Sequence, residues 1–167
     1  MGAAQLRYIF ITLHAASGII SFFAGLSLLF LTIHIANKKL FNLYFWSLTG
    51  LIIFLAGAII AYWTYYTNSE RIIFSSLFGL GIYMLYRARN ARQLLMTQGS
   101  NWKHGYISHI GFTLISLFDG FIIVTVINSG GPGWLVALFA IVGVLVGNRA
   151  IALAQRRVGD KEFASKE

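Results

Sequence analysis

Asp119 lies in the segment FTLISLFDGFIIVTVI, flanked by Phe118 and Gly120, and is the only acid inside a long apolar run of this chain. A carboxylate at the centre of a membrane helix costs about 2.5–3.5 kcal/mol on insertion scales. Such a group faces the protein interior, takes a partner, and often marks function. Few groups can meet it: the chain has four histidines, His14, His34, His104 and His109, and one arginine, Arg149, within its last apolar run. An acid and an imidazole inside a membrane are the parts of a proton relay. Two histidines on different helices at one depth are the parts of a haem site.

Other chemistry finds little footing. There is no cysteine, which excludes disulfides, thiolate zinc sites, iron–sulfur clusters and cysteine nucleophiles. His104 and His109 stand about 140° apart on a helix, the wrong spacing for a zinc pair. No nucleophile elbow, carboxylate pair or metal-binding cluster is present. No catalytic residue and no metal is therefore assigned, and the reading leans away from an enzyme.

The elements that must position these residues follow from composition. Of the 167 residues, 57% are hydrophobic and 11% charged, with a mean hydropathy of +0.73, against about 25% charged in a soluble domain. Such a chain cannot cover a water-facing surface. It reads as an all-α integral membrane bundle forming one domain, 1–167, with the lipid bilayer as its main partner. Five apolar runs, at 8–36, 41–66, 72–86, 105–128 and 134–154, are the expected transmembrane helices; crossing takes about 20 apolar residues. The third run is short and must borrow flanking residues or sit obliquely. A link at 87–104 begins RARNARQLLM, which extends the third helix into water. A charged tail occupies 155–167. The N-terminus shows no cleavable signal, since apolar character continues to Ile35, and Leu6 breaks a myristoylation motif.

The net charge of +8 sets orientation and meets anionic headgroups; it does not indicate nucleic acid. With five spans, Lys38, Lys39, Arg87, Arg89, Arg92, Lys103, Arg156, Arg157, Lys161 and Lys166 share one side, with only Arg7 and Arg71 opposite. The positive-inside rule then puts the N-terminus outside and the C-terminus in the cytoplasm. Tyr62, Trp63, Tyr65, Tyr66 and Trp134 outside, with Tyr44, Trp46, Trp102 and Tyr106 inside, read as interface anchors. Gly143 and Gly147 permit close helix packing, within the bundle or on a homo-oligomer face.

Two helices carry polar stripes. In the fourth span Ser108, His109, Thr113, Ser116, Asp119 and Gly120 share an arc of about 140°. In the first, His14, Ser17, Gly18, Ser21, Gly25 and Thr32 lie within about 100°. His14 is about 9 Å in from the outer end and Asp119 about 13 Å. The expectation is a His14–Asp119 contact in the outer half of the membrane, in a site between spans one and four. Arg149 is the alternative partner of Asp119, about 9 Å deeper, with snorkelling to the cytoplasmic headgroups easier for it. His34 lies about 160° from the span-one stripe and reads as interfacial, which turns it away from a haem shared with His109.

Three classes of function fit these features. The favoured one is a non-catalytic membrane component or partner subunit, with Asp119 a buried structural group and the basic link and tail open to a larger membrane complex. The alternative is a proton-linked transport or channel protein using Asp119 and His14. The second alternative is a redox protein holding haem or quinone, which the histidines permit and no motif demands. No cofactor is assigned.

LHAASGIISFFAGL in the first span, the basic inner turn, and WKHGYISHIGF opening the fourth resemble a family of small bacterial multi-pass membrane proteins of unknown function. The resemblance covers most of the chain. It implies a bacterial cytoplasmic (inner) membrane and marks His14 and His104 or His109 as family-like positions. Asn37-Lys38-Lys39-Leu40-Phe41-Asn42 stands where that family has a His-Arg turn with glycine. The resemblance implies no activity.

Overall fold

The computed structural model describes residues 2–31, 37–99 and 102–164. Among them every regular element is helical: α1 (Ala3–Leu31), α2 (Lys38–Tyr62), a 3₁₀ turn (Trp63–Tyr65), α3 (Asn68–Thr97), α4 (Trp102–Asn128) and α5 (Gly133–Ala164). Four stretches are long and apolar enough to cross a membrane: Ala3–Phe30, Lys38–Tyr65, Trp102–Val126 and Leu138–Arg156. α3 is as long as these but diluted by Arg87, Arg89 and Arg92. Arginine is a good helix former, and no glycine or proline interrupts residues 82–98, so the helix runs on past its apolar part.

The helix ends have local causes. Asn37 caps α2 by accepting the Leu40 N–H at 3.0 Å. Thr67 and Glu70 form a full capping box, which starts α3 at Asn68, inside the stretch 67–71 expected as a link. The Thr67 backbone N–H, followed by its hydroxyl, holds the exposed Glu70 carboxyl below its ordinary range. α3 stops where Gln98 takes a left-handed conformation, φ 45°, its N–H returning to the Leu94 carbonyl. Between α4 and α5, Gly130 at φ 70° and the Gly131 N–H to Val126 carbonyl bond turn the chain.

α1 packs most extensively along α2, α4 is gripped by α3 and α5, and lesser contacts join α2 to α3 and α1 to α4. The core comes from the first four helices: Ala24 and Leu28, then Phe41, Tyr44, Leu48, Leu51 and Ile52, then Met84, Ala88, Ala91 and Leu95, then Tyr106, Ile110 and Leu114. Close backbone approach supports the α1–α2 pairing. A methyl at Gly57 would lie 2.9 Å from the Phe10 ring, and one at Gly25 would lie 3.1 Å from the Tyr44 ring. Among the described residues α5 supplies nothing to this core and packs chiefly on α4, with Val144, Leu145 and Val146 exposed. Outward-facing Ile53, Ile60, Phe121 and Leu145 are more than half exposed, an apolar surface suited to hydrocarbon and not to water.

Three of the expected interface anchors, Tyr44, Tyr66 and Tyr106, are buried instead. Tyr44 and Tyr106 are fully buried, packed with Phe41 at ring separations of 5.7 and 6.3 Å. On α2, Phe41, Tyr44, Leu48 and Leu51 share one helical face, and Trp46 falls on the exposed one. At the other end of the bundle Arg7 sits 4.5 Å above the Tyr62 ring and 5.5 Å from that of Tyr66. Those tyrosines bind α1 to the α2–α3 corner through a cation–π contact.

Candidate functional site

The polar stripe of α4 faces three different helices in turn. At its α3 side, Ser108 accepts from the Arg87 guanidinium, through its carbonyl at 3.1 Å and its hydroxyl at 3.2 Å. One turn on, Thr113 is fully buried and hydrogen-bonded to the Tyr44 hydroxyl of α2. Thr113 gives its own single proton to the Ile110 carbonyl at 2.8 Å, so Tyr44 is the donor of that pair. Further along, Ser116 and Asp119 are 9% and 7% exposed, which puts both inside the protein. Gly120 meets open space.

Asp119 lies against α5. Its carboxylate rests over the Gly143 backbone so closely that a methyl there would overlap it. Gly147 receives Ile115 in the same manner, and Gly111 of α4 receives Ile151 of α5. One antiparallel register thus seats three side chains on three glycines along the α4–α5 seam. Gly143 and Gly147 both turn to α4. Asp119 Oδ1 is buried and has no hydrogen-bond partner among the described residues.

The expected His14–Asp119 contact is replaced by two others. His14 donates from Nδ1 to the Leu51 carbonyl of α2 at 2.8 Å, since a carbonyl can only accept. Ser17 lies against Gly50 and Gly18 against Leu51, so most of the α1 stripe is used to pack on α2. Ser21 is fully buried with no partner for its hydroxyl. At Gly25, between Tyr44 and Leu114, the α1 stripe reaches α4. With Gly25 level with Leu114, His14 lies about 9 Å further toward the outer end than Asp119, and each side chain turns to a different neighbour.

Arg149 does not serve Asp119 either. It is exposed, and lies about 9 Å along α5 from Gly143 and about 120° around it. His104 is exposed and offers its carbonyl to Gln155 at 3.0 Å. His109 is half-buried, its Nδ1 without a partner among the described residues, with Arg87 as its electrostatic neighbour. His34 and Thr32 lie outside the described residues. Among the described residues no three His, Cys, Asp or Glu groups gather at a metal-binding distance.

Tyr44 and Arg87 are the residues that sequence reasoning missed. The signal for Tyr44 was its spacing from Phe41, Leu48 and Leu51. For Arg87 it was its place one turn after Tyr83, on a helix with no break before it. Four helices fit for a membrane, joined by buried polar contacts, define the class: a helical membrane protein. No known protein family, curated protein or solved structure matches the chain.

Proposed function

We propose that this chain is a non-catalytic component of a bacterial cytoplasmic membrane, a scaffold or partner subunit whose buried polar groups fasten its helices together. In this reading five helices cross, α3 included, with the N-terminus outside and the C-terminus in the cytoplasm. The observation that carries it is the division of the α4 stripe. Ser108 engages α3, Thr113 engages α2 and Asp119 engages α5, each singly. A transport or relay site gathers such groups around one cavity or chain; here they are spent one by one at separate seams. The interhelical hydrogen bonds of Ser108 and Thr113 are worth about 0.6–2 kcal/mol each in a bilayer, and Asp119 adds close packing on Gly143; together they fix which helix lies beside which.

A proton-linked reading keeps one observation in its favour, the buried Asp119 Oδ1 with no hydrogen-bond partner among the described residues. Purified protein in liposomes loaded with a pH-sensitive dye separates the two. The scaffold reading expects the same proton leak from wild type and Asp119→Asn under an imposed gradient. A wild-type flux that Asp119→Asn abolishes, at equal folded yield, would replace it with the proton-linked one.

A further inference from the structure

We infer that Arg87, with Tyr83, Ser108 and His109, forms a phosphate-binding site on the α3–α4 seam, placed to take the headgroup of an anionic lipid. The guanidinium is half-buried, and all of its acceptors are neutral: the Tyr83 hydroxyl at 3.3 Å and the Ser108 carbonyl and hydroxyl. Among the described residues its buried Nε–H has no acceptor, and the buried Nδ1 of the neighbouring His109 has no partner. The Phe112 ring, 4.8 Å from the guanidinium carbon, walls one side.

Among the described side chains no carboxylate answers this charge. Glu70 stands at the far end of α3, committed to the capping box, and Asp119 lies about 16 Å along α4 from Ser108. A charge held partly out of water calls for an opposite charge or a strong set of acceptors. A phosphate supplies both, and the planar guanidinium fork matches its oxygens.

Depth names the source of the phosphate, and this step rests on the proposed crossing of α3. Arg87 is about 28 Å along α3 from Asn68, and the hydrocarbon core is about 30 Å thick. With Asn68 at the outer surface, Arg87 arrives at the level of the inner phosphates. Tyr83 and Tyr86, both exposed, flank it as interfacial aromatics do.

Native mass spectrometry of detergent-purified protein tests the site, with phosphatidylglycerol, phosphatidylcholine or inorganic phosphate added. Wild type is expected to hold one phosphatidylglycerol under activation that strips phosphatidylcholine, and millimolar inorganic phosphate should not displace it. Arg87→Gln should lower that occupancy about tenfold, Arg87→Lys less, and Arg89→Gln, an exposed control, not at all. Arg87-dependent retention of inorganic phosphate without lipid selectivity would keep the phosphate site and give it a soluble ligand. Wild type that binds both lipids equally and no phosphate would overturn the inference without needing any variant to fold. So would Arg87→Gln with wild-type occupancy. Accessibility of single cysteines at the two ends of α3 to an impermeant maleimide reads the crossing separately, so the two can fail independently.

Discussion

Gly143→Ala is expected to destabilise the protein by about 2 kcal/mol, the range for overpacking a closed interior. The added methyl falls on the Asp119 carboxylate, and no small motion frees it, because both carboxylate oxygens and their carbon crowd the same point. Asp119 has few rotamers and is 7% exposed, so its escape requires α4 and α5 to part. The clash belongs to the pair, so removing the carboxylate should relieve it. In an Asp119→Ala background, Gly143→Ala should cost less than half as much. Equilibrium unfolding in mixed micelles, run as a double-mutant cycle, reads the coupling, expected at about 0.5–3 kcal/mol for groups in direct contact. Equal costs in the two backgrounds would mean that Asp119 does not rest on Gly143.

The Tyr44–Thr113 bond predicts an asymmetry. Thr113→Val keeps the side chain's shape but strands the fully buried Tyr44 hydroxyl without an acceptor, a cost of about 1–3 kcal/mol. Tyr44→Phe removes the donor and leaves Thr113 still bonded to the Ile110 carbonyl, so its cost should fall at or below about 1 kcal/mol. Making both changes together should be milder than Thr113→Val alone, because no buried hydroxyl is then left unpaired. Tyr44→Ala is the severe member of the series, at about 3–5 kcal/mol for a large aromatic deletion. It empties the place where Phe41, Gly25 and Leu114 converge. The same unfolding measurement ranks the four variants. Tyr44→Phe costing more than Thr113→Val would reverse the donor assignment.

Much of the helical design was legible in the residues, and the reasons for the rest are physical. Composition and the apolar runs announced the helices, and the polar stripes marked buried faces on α1 and α4. What periodicity could not supply was which helix each face meets. Counting from the span ends put His14 and Asp119 at one depth, but the Gly25–Leu114 contact sets a register that leaves them about 9 Å apart along the bundle, and their faces lead to Leu51 and Gly143. The second contact did leave a trace. α4 and α5 are joined by a tight turn, and Asp119 lies about as far before it as Gly143 lies after it, so a simple hairpin brings them together. Tyr44 was misplaced because a tyrosine near a span end serves equally at an interface or in a core; its register with Phe41 and Leu48 decides it. Arg87 was assigned to water by charge alone, although an unbroken helix carried it back against Ser108 and Phe112.

The passage of α3 through the bilayer underlies both the orientation of the bundle and the depth of Arg87. The natural absence of cysteine makes it directly measurable. Single cysteines at the exposed positions Lys39, Ser69, Thr97 and Ser129 can be probed with a membrane-impermeant maleimide in intact and permeabilised cells. A crossing α3 predicts that Ser69→Cys and Ser129→Cys label in intact cells, while Lys39→Cys and Thr97→Cys label only after permeabilisation. Labelling of Ser69→Cys and Thr97→Cys from the same side would contradict it, leaving α3 on the membrane surface and four helices across.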